Sequence, residues 1–391
     1  MINKWRQDTK GCRDIMHFNN AGASLMPNVV VDAIQNYLRL EMEMGGYEAA
    51  TASPQNAASF YSLAAQVLNT KSENIAFANS ATDAYAKALS AIPFAKGDII
   101  LTSSNDYGSN HLAFLSMKKR LGVEVVVAED DADGIVEVGD IQRKIKKLNP
   151  KVVAITHVPT NSGLIQPVAK IGELLKDTDI VYLVDACQSL GQLKVDVQTI
   201  HCDFLSGTFR KFLRGPRGTG LLYVSDKILE KDWSPMLIDM RGAKWTKSDG
   251  YSLKKSAKRF EYWEFSHALM AGANAALAYL LEVGIDTIAE RNKLLKNYLL
   301  EKLKDTPHLV LPDTEIQQET CNIIPLYTKN RGCGELKKYL AANHINVSIS
   351  EKQNALFYFE QKGMNAMLRI SPHYYNTKDE IDILVACLKR L

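Results

Sequence analysis

The amino-acid sequence predicts an α/β fold whose large domain has a mostly parallel sheet covered by helices. Short β-branched runs alternate with amphipathic stretches through the middle of the chain, which is the pattern of βαβ units. The runs are apolar at successive positions, as expected of parallel strands buried on both faces. The strand-like runs are 99–101, 123–128, 152–155 and 180–184, and the helical stretches between them are 111–121, 137–148 and 168–175.

The pattern changes on both sides of this region. Pro27 stands in the first turn of a predicted helix that runs to Leu40, where its missing N–H is tolerated. Beyond residue 284 the sequence predicts a smaller α+β domain. Its predicted helices are 287–303, 333–342 and 378–391, and its predicted strands are 320–326 and 367–370. We therefore expect an N-terminal segment 1–26, a large domain 27–284 and a small domain 285–391.

Composition excludes several classes of protein. The 391 residues carry 47 Lys and Arg against 44 Asp and Glu, and a net charge of +3 is too small for a dedicated nucleic-acid binder. No apolar stretch reaches the roughly 18 residues of a membrane span, so we expect a cytoplasmic protein. The 6 cysteines form no CxxC pair, which argues against a metal site. Cys187 and Cys202 lie in apolar runs and are expected to pack as small hydrophobic side chains.

The strongest chemical signal lies between Asp203 and Gly220. This segment combines glycines and hydroxyl side chains with four cations, which are Arg210, Lys211, Arg214 and Arg217. A solvated basic loop is the ordinary alternative, but apolar residues flank the segment on both sides. A buried loop with this much positive charge needs an anion, and these groups suit a phosphate. The segment lacks the GxxxxGK[ST] order of NTP-hydrolysing loops, so nucleotide hydrolysis is not indicated.

Polar residues directly after strand-like runs are the next candidates, because ligands of open α/β sheets gather beyond the carboxyl ends of the strands. Asp185 and His157 meet this rule. A carboxylate at the end of a central strand needs a cation or an N–H donor, and the alternative is that Asp185 caps a helix. Ser80 and Thr82 precede a helical stretch that runs to about residue 92. There they can cap the helix, hold a phosphate with its N–H groups, or do both.

The order of these residues resembles the cofactor signature of a known family. The motif is a strand followed by Asp185-x-x-Gln188, a gap, Thr208-x-Arg210-Lys211 and Gly215-Pro-x-Gly218. It is similar to the pyridoxal-phosphate signature of class V aminotransferases. This fold-type I group includes cysteine desulfurases, isopenicillin epimerase, kynureninase and ergothioneine-pathway C–S lyases. The similarity extends from Asn19 to the segment 369–377, and it implies a homodimer with active sites near the subunit interface.

The resemblance also implies roles for individual residues toward the cofactor. Lys211 would form a Schiff base with the cofactor aldehyde and then carry the proton at the substrate carbon. Its amine, flanked by Arg210 and a pyridinium, should have a depressed pKa. Asp185 would pair with the pyridine N–H, and Gln188 would bind the ring hydroxyl. The phosphate would be held by Ser80, the Ala81 N–H, Thr82, Thr208 and Arg210.

Other implied roles concern the ring face and the substrate. Tyr107 falls where the family stacks an aromatic or imidazole ring on the cofactor, although a lone tyrosine after a strand is often core or surface. Arg369 corresponds to the arginine that clamps the substrate α-carboxylate, and its ordinary alternative is a surface ion pair. The turn with Asn20, Ala21 and Gly22 would contact the same end of the substrate and would pack the N-terminal segment on the active site. An amino acid is the expected substrate.

Three departures from the family pattern bear on the reaction. Desulfurases carry a mobile-loop cysteine shortly before the clamp arginine, but the segment 345–354 has none. Arg210 stands where desulfurases have histidine, and the run around Lys211 is most similar to the ergothioneine-type C–S lyases. The segment 259–265 lacks the threonine that in many relatives reaches the partner subunit's phosphate.

The sequence therefore favours β-elimination at a cysteine derivative or its sulfoxide. An aminotransferase or an epimerase on the same scaffold is the alternative, because these reactions diverge only after the Cα proton is removed. A non-catalytic binder is a more distant alternative, which the presence of both Lys211 and Asp185 disfavours.

Overall fold

The computed structural model describes residues 1–312 and 320–390. The loop 209–219, which contains Lys211 and Arg214, is called the signature loop below. From the N-terminus to the strand before this loop, the elements are α1 (Ile2–Gln7), β1 (Met16–His17), α2 (Asn28–Met44), α3 (Gly46–Ala52), α4 (Pro54–Leu68), β2 (Ile75–Ala78), α5 (Ala81–Ala91), β3 (Ile99–Ser103), α6 (Gly108–Leu121), β4 (Glu124–Ala128), α7 (Val138–Leu148), β5 (Val152–Thr156), α8 (Val168–Leu175), β6 (Val181–Asp185), α9 (Val197–Ile200) and β7 (Phe204–Thr208). The βαβ alternation predicted for residues 99–184 is present.

The second half begins with a strand that returns along the same sheet. Its elements are β8 (Gly220–Val224), α10 (Asp226–Leu229), β9 (Ala243–Lys247), β10 (Gly250–Leu253), α11 (His267–Val283), α12 (Ile285–Leu303), β11 (Leu309–Val310), β12 (Ile324–Thr328), α13 (Cys333–Ala342), β13 (Ile345–Asn346), β14 (Ser348–Glu351), α14 (Leu356–Gln361), β15 (Ala366–Ile370) and α15 (Lys378–Lys389). Residue 391, the last of the predicted final helix, lies outside the described residues.

The large sheet has seven strands in the order β2-β8-β7-β6-β5-β3-β4. Six of the seven strands run in the same direction and β8 runs in the opposite one, so the prediction of a mostly parallel sheet is confirmed. Alternate residues of β6 enter different cores: Tyr182 and Val184 pack with α4, α8 and α11, whereas Val181 and Leu183 pack with α5 and α6. Helices therefore cover both faces of the sheet, as the continuous apolar runs required.

The carboxyl ends of β2, β5, β6 and β7 meet at one edge of this sheet. β2 and β7 both pair antiparallel with β8, so they run in the same direction. In the register of the sheet, Thr156 pairs with Asp185, and Asp185 pairs with Ser206. Polar residues from these distant parts of the sequence consequently lie along one edge, where open α/β sheets bind ligands.

The C-terminal part forms a four-stranded antiparallel sheet with the order β11-β12-β15-β14. Its apolar face packs on α12, α13 and α15. β12 begins at Ile324 rather than at residue 320, because Cys321 and Asn322 donate their backbone N–H groups to Gly163 and Gln192 instead of joining the sheet. β1 pairs with β13 and Asn19 bridges Ser371, so the N-terminal segment is attached to this part of the chain.

Several elements were not anticipated from the sequence. They include the α4 and α11 helices and the β9–β10 hairpin, and α2 extends to Met44 rather than Leu40. Within residues 1–312 and 320–390, no individual helix combines the length and apolar character of a membrane span. The adjoining helices α11 and α12 meet those criteria only when taken together, and they are bent by 78°.

Arg214, in the signature loop, ties three distant segments together. Its side chain donates to the Leu25 carbonyl (2.9 Å), the Tyr374 hydroxyl (2.7 Å) and the Thr9 hydroxyl (2.6 Å), and its guanidinium lies 4.3 Å from the centroid of the Tyr375 ring. This finding corrects the expectation that the cations of a buried loop need an anion. Neutral acceptors and aromatic faces satisfy Arg214, which is 1% exposed, while Arg217 lies on the surface.

We expect Arg214→Ala to lower the free energy of unfolding by about 3 kcal/mol, since it leaves three buried polar groups without their donor and creates a cavity. Urea unfolding followed by circular dichroism measures the change. Arg217→Ala is the matched control, because it removes an exposed cation from the same loop and should change stability by less than about 0.5 kcal/mol. Equal unfolding midpoints for the two variants would contradict this role of Arg214.

Candidate active site

A cavity opens at the carboxyl edge of the large sheet. Its walls come from five separate parts of the chain, which the fold brings to one place. The lining residues are Ser80, Ala81, Thr82, Tyr107, Thr156, Val158, Thr160, Asp185, Cys187, Gln188, Thr208, Arg210 and Lys211. Most of the residues that the sequence singled out for binding or catalysis are therefore brought together.

Asp185 is the last residue of β6 and is 4% exposed. Its Oδ1 accepts the backbone N–H of Cys187 (2.9 Å), and its Oδ2 accepts an Nδ2–H of Asn110 (3.1 Å). The residues that follow form turns, so Asp185 does not cap a helix. A carboxylate at the mouth of a central strand is thus held by two neutral donors and faces the cavity, where it can accept one more donor.

Lys211 lies in the loop between β7 and β8 and is 7% exposed. Burial lowers the pKa of Lys211 to about 8, and the neighbouring guanidinium of Arg210 acts in the same direction, against opposing effects of Cys187 and Asp185. The sequence predicted that neighbouring cations would lower the pKa of Lys211, whereas the structure shows that burial of the amine away from water is the larger cause. A substantial fraction of this amine is neutral, and therefore nucleophilic, near physiological pH.

The N-terminus of α5 borders the cavity beside the end of β7. Ser80 caps the helix, because its hydroxyl accepts the backbone N–H of Asp83 (3.1 Å). Gly220 packs directly against this turn, and a Cβ there would lie 2.6 Å from the carbonyl carbon of Ser80. The helix N–H groups, the Thr82 side chain and the Thr208 hydroxyl thus surround one corner of the cavity, and such an arrangement suits a phosphate.

Gln188 and Arg210 are both held by the N-terminal turn. Gln188 Nε2 donates to the Ala21 carbonyl (3.1 Å) and to Thr160 Oγ1 (3.0 Å). Among the described residues its Oε1 has no hydrogen-bond partner, although the side chain is buried. Arg210 donates to the Gly22 carbonyl oxygen. The turn therefore positions two side chains of the cavity through its backbone.

The remaining contacts of this turn point away from the cavity. Asn20 is fully buried, donating to the Ser371 carbonyl (2.7 Å) and accepting from the Tyr375 hydroxyl. The Ala21 N–H donates to the Ser371 hydroxyl (2.9 Å). None of Asn20, Ala21 and Gly22 is among the residues that line the cavity. Their place in the fold is behind the walls, where they fix the N-terminal segment on the C-terminal part.

Arg369, on β15, reaches Thr160 at the rim of the cavity. Its Nη1 donates to the carbonyl and hydroxyl oxygens of Thr160, both at 2.7 Å. The residue is 6% exposed, so the alternative of a surface ion pair does not apply. Burial and the nearby Arg210 lower the pKa of Arg369 to about 10, which still leaves the guanidinium charged at neutral pH. Its buried Nε has no partner among the described residues.

Sequence reasoning missed four residues that line the cavity: Thr156, Val158, Thr160 and Cys187. The rule that selected Asp185 could have found the first three, because they end or follow β5, the neighbouring strand. It also selected His157, whose side chain lies instead beside Gln166 and Lys170 in a separate depression. Neighbouring residues of an extended chain point in opposite directions, which turns His157 away from its neighbours Thr156 and Val158. Burial lowers the pKa of His157 to about 4.

The segment 345–354, which contains no cysteine, ends in a turn that lies against the start of α6. β14 ends at Glu351, and one turn, Lys352–Asn354, is closed by reciprocal hydrogen bonds between Glu351 and Asn354. The turn lies against Gly108, where a Cβ would come within 2.8 Å of the Gln353 carbonyl oxygen. Of the six cysteines, which all lie in the described residues, only Cys187 lines the cavity, and burial raises the pKa of its thiol.

The family model "Aminotransferase class-V" matches residues 16–384. The chain belongs to the class V aminotransferase family. A probable cysteine desulfurase from Pyrococcus abyssi (strain GE5 / Orsay) is 26% identical to it, over 99% of this chain and 96% of the relative. The fold is similar to that of a cysteine desulfurase from Thermococcus onnurineus NA1 solved in its apo form, with a TM-score of 0.92, 24% identity and coverage of 99% of this chain and 97% of that chain.

A second solved structure extends the comparison to a lyase. The complex of a cystine C–S lyase with its reaction product cysteine persulfide superposes with a TM-score of 0.85 and 20% identity, over 97% of this chain and 99% of that chain. The fold-type I architecture implied by the sequence motifs is confirmed. This class V family member is a pyridoxal-phosphate-dependent enzyme, and the resemblance inferred from the motif around Asp185 and Lys211 is confirmed as well.

The cavity of this class V enzyme fits its cofactor. A buried amine suits the aldehyde, and a carboxylate with free acceptor capacity suits the pyridine N–H. The buried Oε1 of Gln188, which has no described partner, matches a donor such as the ring hydroxyl. The α5 N-terminus and the Thr208 hydroxyl supply the neutral donors that a phosphate needs. Tyr107, at the start of α6, lines the same cavity.

We expect the amine of Lys211 to react as a neutral nucleophile from about pH 8 upward in the enzyme without cofactor, because burial lowers its pKa to that value. Carbamylation by cyanate, quantified by peptide mass mapping across a pH series, measures the midpoint. For reference, a lysine side chain exposed to water has a pKa of about 10.4, so its carbamylation midpoint should lie near that pH. A midpoint for Lys211 above pH 10 would contradict the effect ascribed to burial.

Proposed function

We propose that this enzyme cleaves the C–S bond at Cβ of a cysteine derivative or its sulfoxide by β-elimination. The observation that carries the proposal is the cavity itself. It contains the buried Lys211 amine and the Asp185 carboxylate, and Arg369 lies at its rim. The segment that precedes Arg369 in the sequence, residues 345–354, contains no cysteine. Relatives named as cysteine desulfurases support cysteine-type substrates. Transfer of sulfur to an enzyme thiol in that segment has no nucleophile here.

Cofactor binding is assigned to the residues whose donors and acceptors fit it. In this proposal Asp185 accepts the pyridine N–H, Gln188 accepts the ring hydroxyl, and Tyr107 covers a face of the ring. Ser80, the Ala81 N–H, Thr82, Thr208 and Arg210 hold the phosphate. When bound, the cofactor supplies an electron sink for the bonds broken at Cα. Because Asp185 is buried and held by two donors, its charge stays close to the ring nitrogen.

Lys211 is the proposed base that takes the proton from Cα of the substrate. An amine whose pKa is about 8 can exist in both protonation states near neutrality, which general acid–base catalysis requires. Because Lys211 is only 7% exposed, exchange of its proton with bulk water is restricted before the leaving group departs. The positive charge of Arg210 beside it opposes protonation of the amine, so a larger fraction of the amine is neutral and able to accept the proton.

Arg369 is the proposed clamp for the substrate α-carboxylate. Its guanidinium is charged and buried, and Thr160 holds only its Nη1, so other N–H donors of the planar fork are available for a bidentate contact. Thr160 also accepts from Gln188, which links the substrate end of the cavity to the cofactor end. In this proposal Ala21 and Gly22 act indirectly, because their carbonyls hold the cofactor-binding side chains of Gln188 and Arg210, and Asn20 anchors the same turn on Ser371.

The proposed reaction balances as follows. The Cα–H and Cβ–S bonds of the substrate break, and the sulfur leaves with the electron pair of the C–S bond, as a thiol or, from a sulfoxide, as a sulfenic acid. The product left behind is an enamine of pyruvate, which one water molecule hydrolyses to pyruvate and ammonia. No oxidant or acceptor substrate is needed. Appearance of pyruvate without an added keto acid therefore distinguishes a lyase from a transaminase.

We expect pyruvate and ammonia in equal amounts when the cofactor-loaded enzyme is given cysteine conjugates, cystine or cysteine sulfoxides. Lys211→Ala should reduce the rate by on the order of 10²-fold or more, because it removes the base. Borohydride treatment of the loaded wild type followed by peptide mapping should label Lys211. Arg217→Ala, an exposed cation of the same loop, is the control and should retain the wild-type rate.

Other outcomes of this experiment identify the alternatives. Exchange of amino and keto groups without pyruvate from any sulfur substrate would overturn the lyase proposal in favour of a transaminase. Inversion at Cα alone would favour an epimerase. A loaded protein that shows no spectral change with any amino acid would favour a non-catalytic binder.

We propose further that the enzyme is a homodimer with its active sites near the interface, as the family resemblance implies. Large apolar side chains are exposed between residues 236 and 263. The most exposed are Met236, Leu237, Met240, Trp245, Tyr251 and Trp263. Tyr262, beside Trp263, lies 3.6 Å from the amine of Lys87 on α5, the helix whose N-terminus borders the cavity. A second copy covering this surface would lie close to the cofactor site, and exposed apolar patches of this kind mark such contacts.

We expect a dimer in sedimentation-velocity experiments. The double substitution Met240→Asp and Trp245→Asp should shift the species toward the monomer, because it places two charges in an apolar interface. Ile383→Asp is the control, since Ile383 is exposed on α15 in the C-terminal part. A double variant that remains dimeric would show that the interface lies elsewhere.

A further inference from the structure

A second buried carboxylate lies behind Asp185, and no step of the proposed mechanism uses it. Asp106 follows β3 in the turn that leads to α6, and it is 1% exposed. Its side chain accepts hydrogen bonds from four groups. The donors are the Thr102 hydroxyl (3.0 Å), the Tyr107 backbone N–H (2.6 Å), Asn110 Nδ2 (3.0 Å) and the Thr156 hydroxyl. All four donors are neutral.

Asn110 connects this carboxylate to the cofactor site. Its Nδ2 lies 3.0 Å from Asp106 Oδ1 and 3.1 Å from Asp185 Oδ2. An amide nitrogen carries two hydrogens, so it can donate one to each carboxylate. The orientation of the Asn110 amide follows from its surroundings, because two carboxylates require the donor rather than the acceptor side. Movement of Asp106 would therefore release the amide that holds Asp185.

Two carboxylates that share one dry site repel each other. Burial raises the pKa of Asp106, and the charge of Asp185 acts in the same direction, whereas His111 and the hydrogen bonds from Thr156 and Asn110 oppose the shift. Burial also raises the pKa of the nearby Tyr85 hydroxyl, and the charges of both carboxylates act in the same direction. The donors that contact the pair are thus neutral, and a described cation that interacts with Asp185 is the Lys211 amine, whose own pKa is lowered by burial. A cationic nitrogen that contacts Asp185 would relieve this excess of negative charge.

We propose that Asp106 is a positioning residue, which fixes the Asp185 carboxylate through Asn110 and adds its own negative charge behind the ring-nitrogen site. This inference rests on the proposed role of Asp185 as the partner of the pyridine N–H. In this inference the hydrogen-bonded network of Asp106, Asn110 and Thr156 strengthens binding of the cofactor and favours the protonated form of its ring nitrogen. A purely structural role, in which Asp106 only stabilises the turn before α6, makes different predictions.

The decisive variant is Asp106→Asn, which keeps the shape of the side chain and removes its charge. We expect cofactor affinity, measured by fluorescence titration of the protein stripped of cofactor, to fall by about tenfold, the size expected for loss of one charge-assisted contact. We also expect the pH midpoint of the absorption change of the bound cofactor to move to lower pH, because a cationic site loses a nearby anion. The melting temperature without cofactor should not fall, since a buried repulsion is removed.

Asp203→Asn is the matched control. Asp203 is 5% exposed, precedes β7 at the opposite edge of the same sheet, and accepts from the Tyr182 N–H, Ser225 and Lys227. Its substitution should lower the melting temperature and leave cofactor affinity unchanged. Asn110→Ala is the second test variant, because it removes the bridge while both carboxylates remain. It should also weaken cofactor binding, and it carries the test if Asp106→Asn fails to fold.

The outcomes separate this inference from the proposed function. If Asp106→Asn behaves like Asp203→Asn, with lower stability but unchanged affinity and midpoint, the positioning role is overturned and a structural role remains. If Asp185→Asn binds the cofactor as tightly as the wild type does, the proposed role of Asp185 is overturned, and the inference about Asp106 is overturned with it. Weaker binding in Asp106→Asn and Asn110→Ala, with stability retained, supports the inference.

Discussion

The burial of a lysine amine and a carboxylate at one cavity is the constraint on which the rest of this active site depends. Taking Lys211 out of water lowers its pKa to about 8 and makes it chemically useful. The same burial makes the charge of Asp185 unfavourable unless donors surround it. The Cys187 N–H and the Asn110 amide supply two donors, and a protonated ring nitrogen would supply a third. Cofactor binding and protein stability are therefore coupled at this edge of the sheet.

The site is completed by parts of the chain that lie far apart in sequence. The N-terminal turn holds Gln188 and Arg210 through backbone carbonyls, and Arg369 arrives from the C-terminal sheet to contact Thr160. Arg214 joins the same three regions behind the cavity with hydrogen bonds to neutral groups. Two arginines of one loop thus have separate tasks, since Arg210 lines the cavity and Arg214 secures the scaffold around it.

In this class V enzyme the cavity is accompanied by a segment, residues 345–354, that contains no cysteine and precedes Arg369, the proposed clamp. The turn at 352–354 packs on the start of α6, next to Tyr107, where its backbone leaves no room for a side chain at Gly108. The segment differs from a cysteine-bearing loop in having no thiol that could accept sulfur from a substrate. This difference, together with Arg210 before the lysine, is the physical basis for favouring elimination over sulfur transfer to the enzyme.

The sequence by itself determined the α/β class, the alternation of strands and helices from residue 99 to 184, and the motif that contains Asp185, Gln188 and Lys211. These are local features, because periodicity and residue order depend on near neighbours along the chain. Only the tertiary structure decided which way the residues at the end of β5 and directly after it point. As a result Thr156 and Thr160 line the cavity, whereas His157 lies in a separate depression. It also decided that Arg214 is satisfied without an anion and that Asp106 shares an amide with Asp185. Such contacts join residues distant in sequence, and no local pattern encodes them.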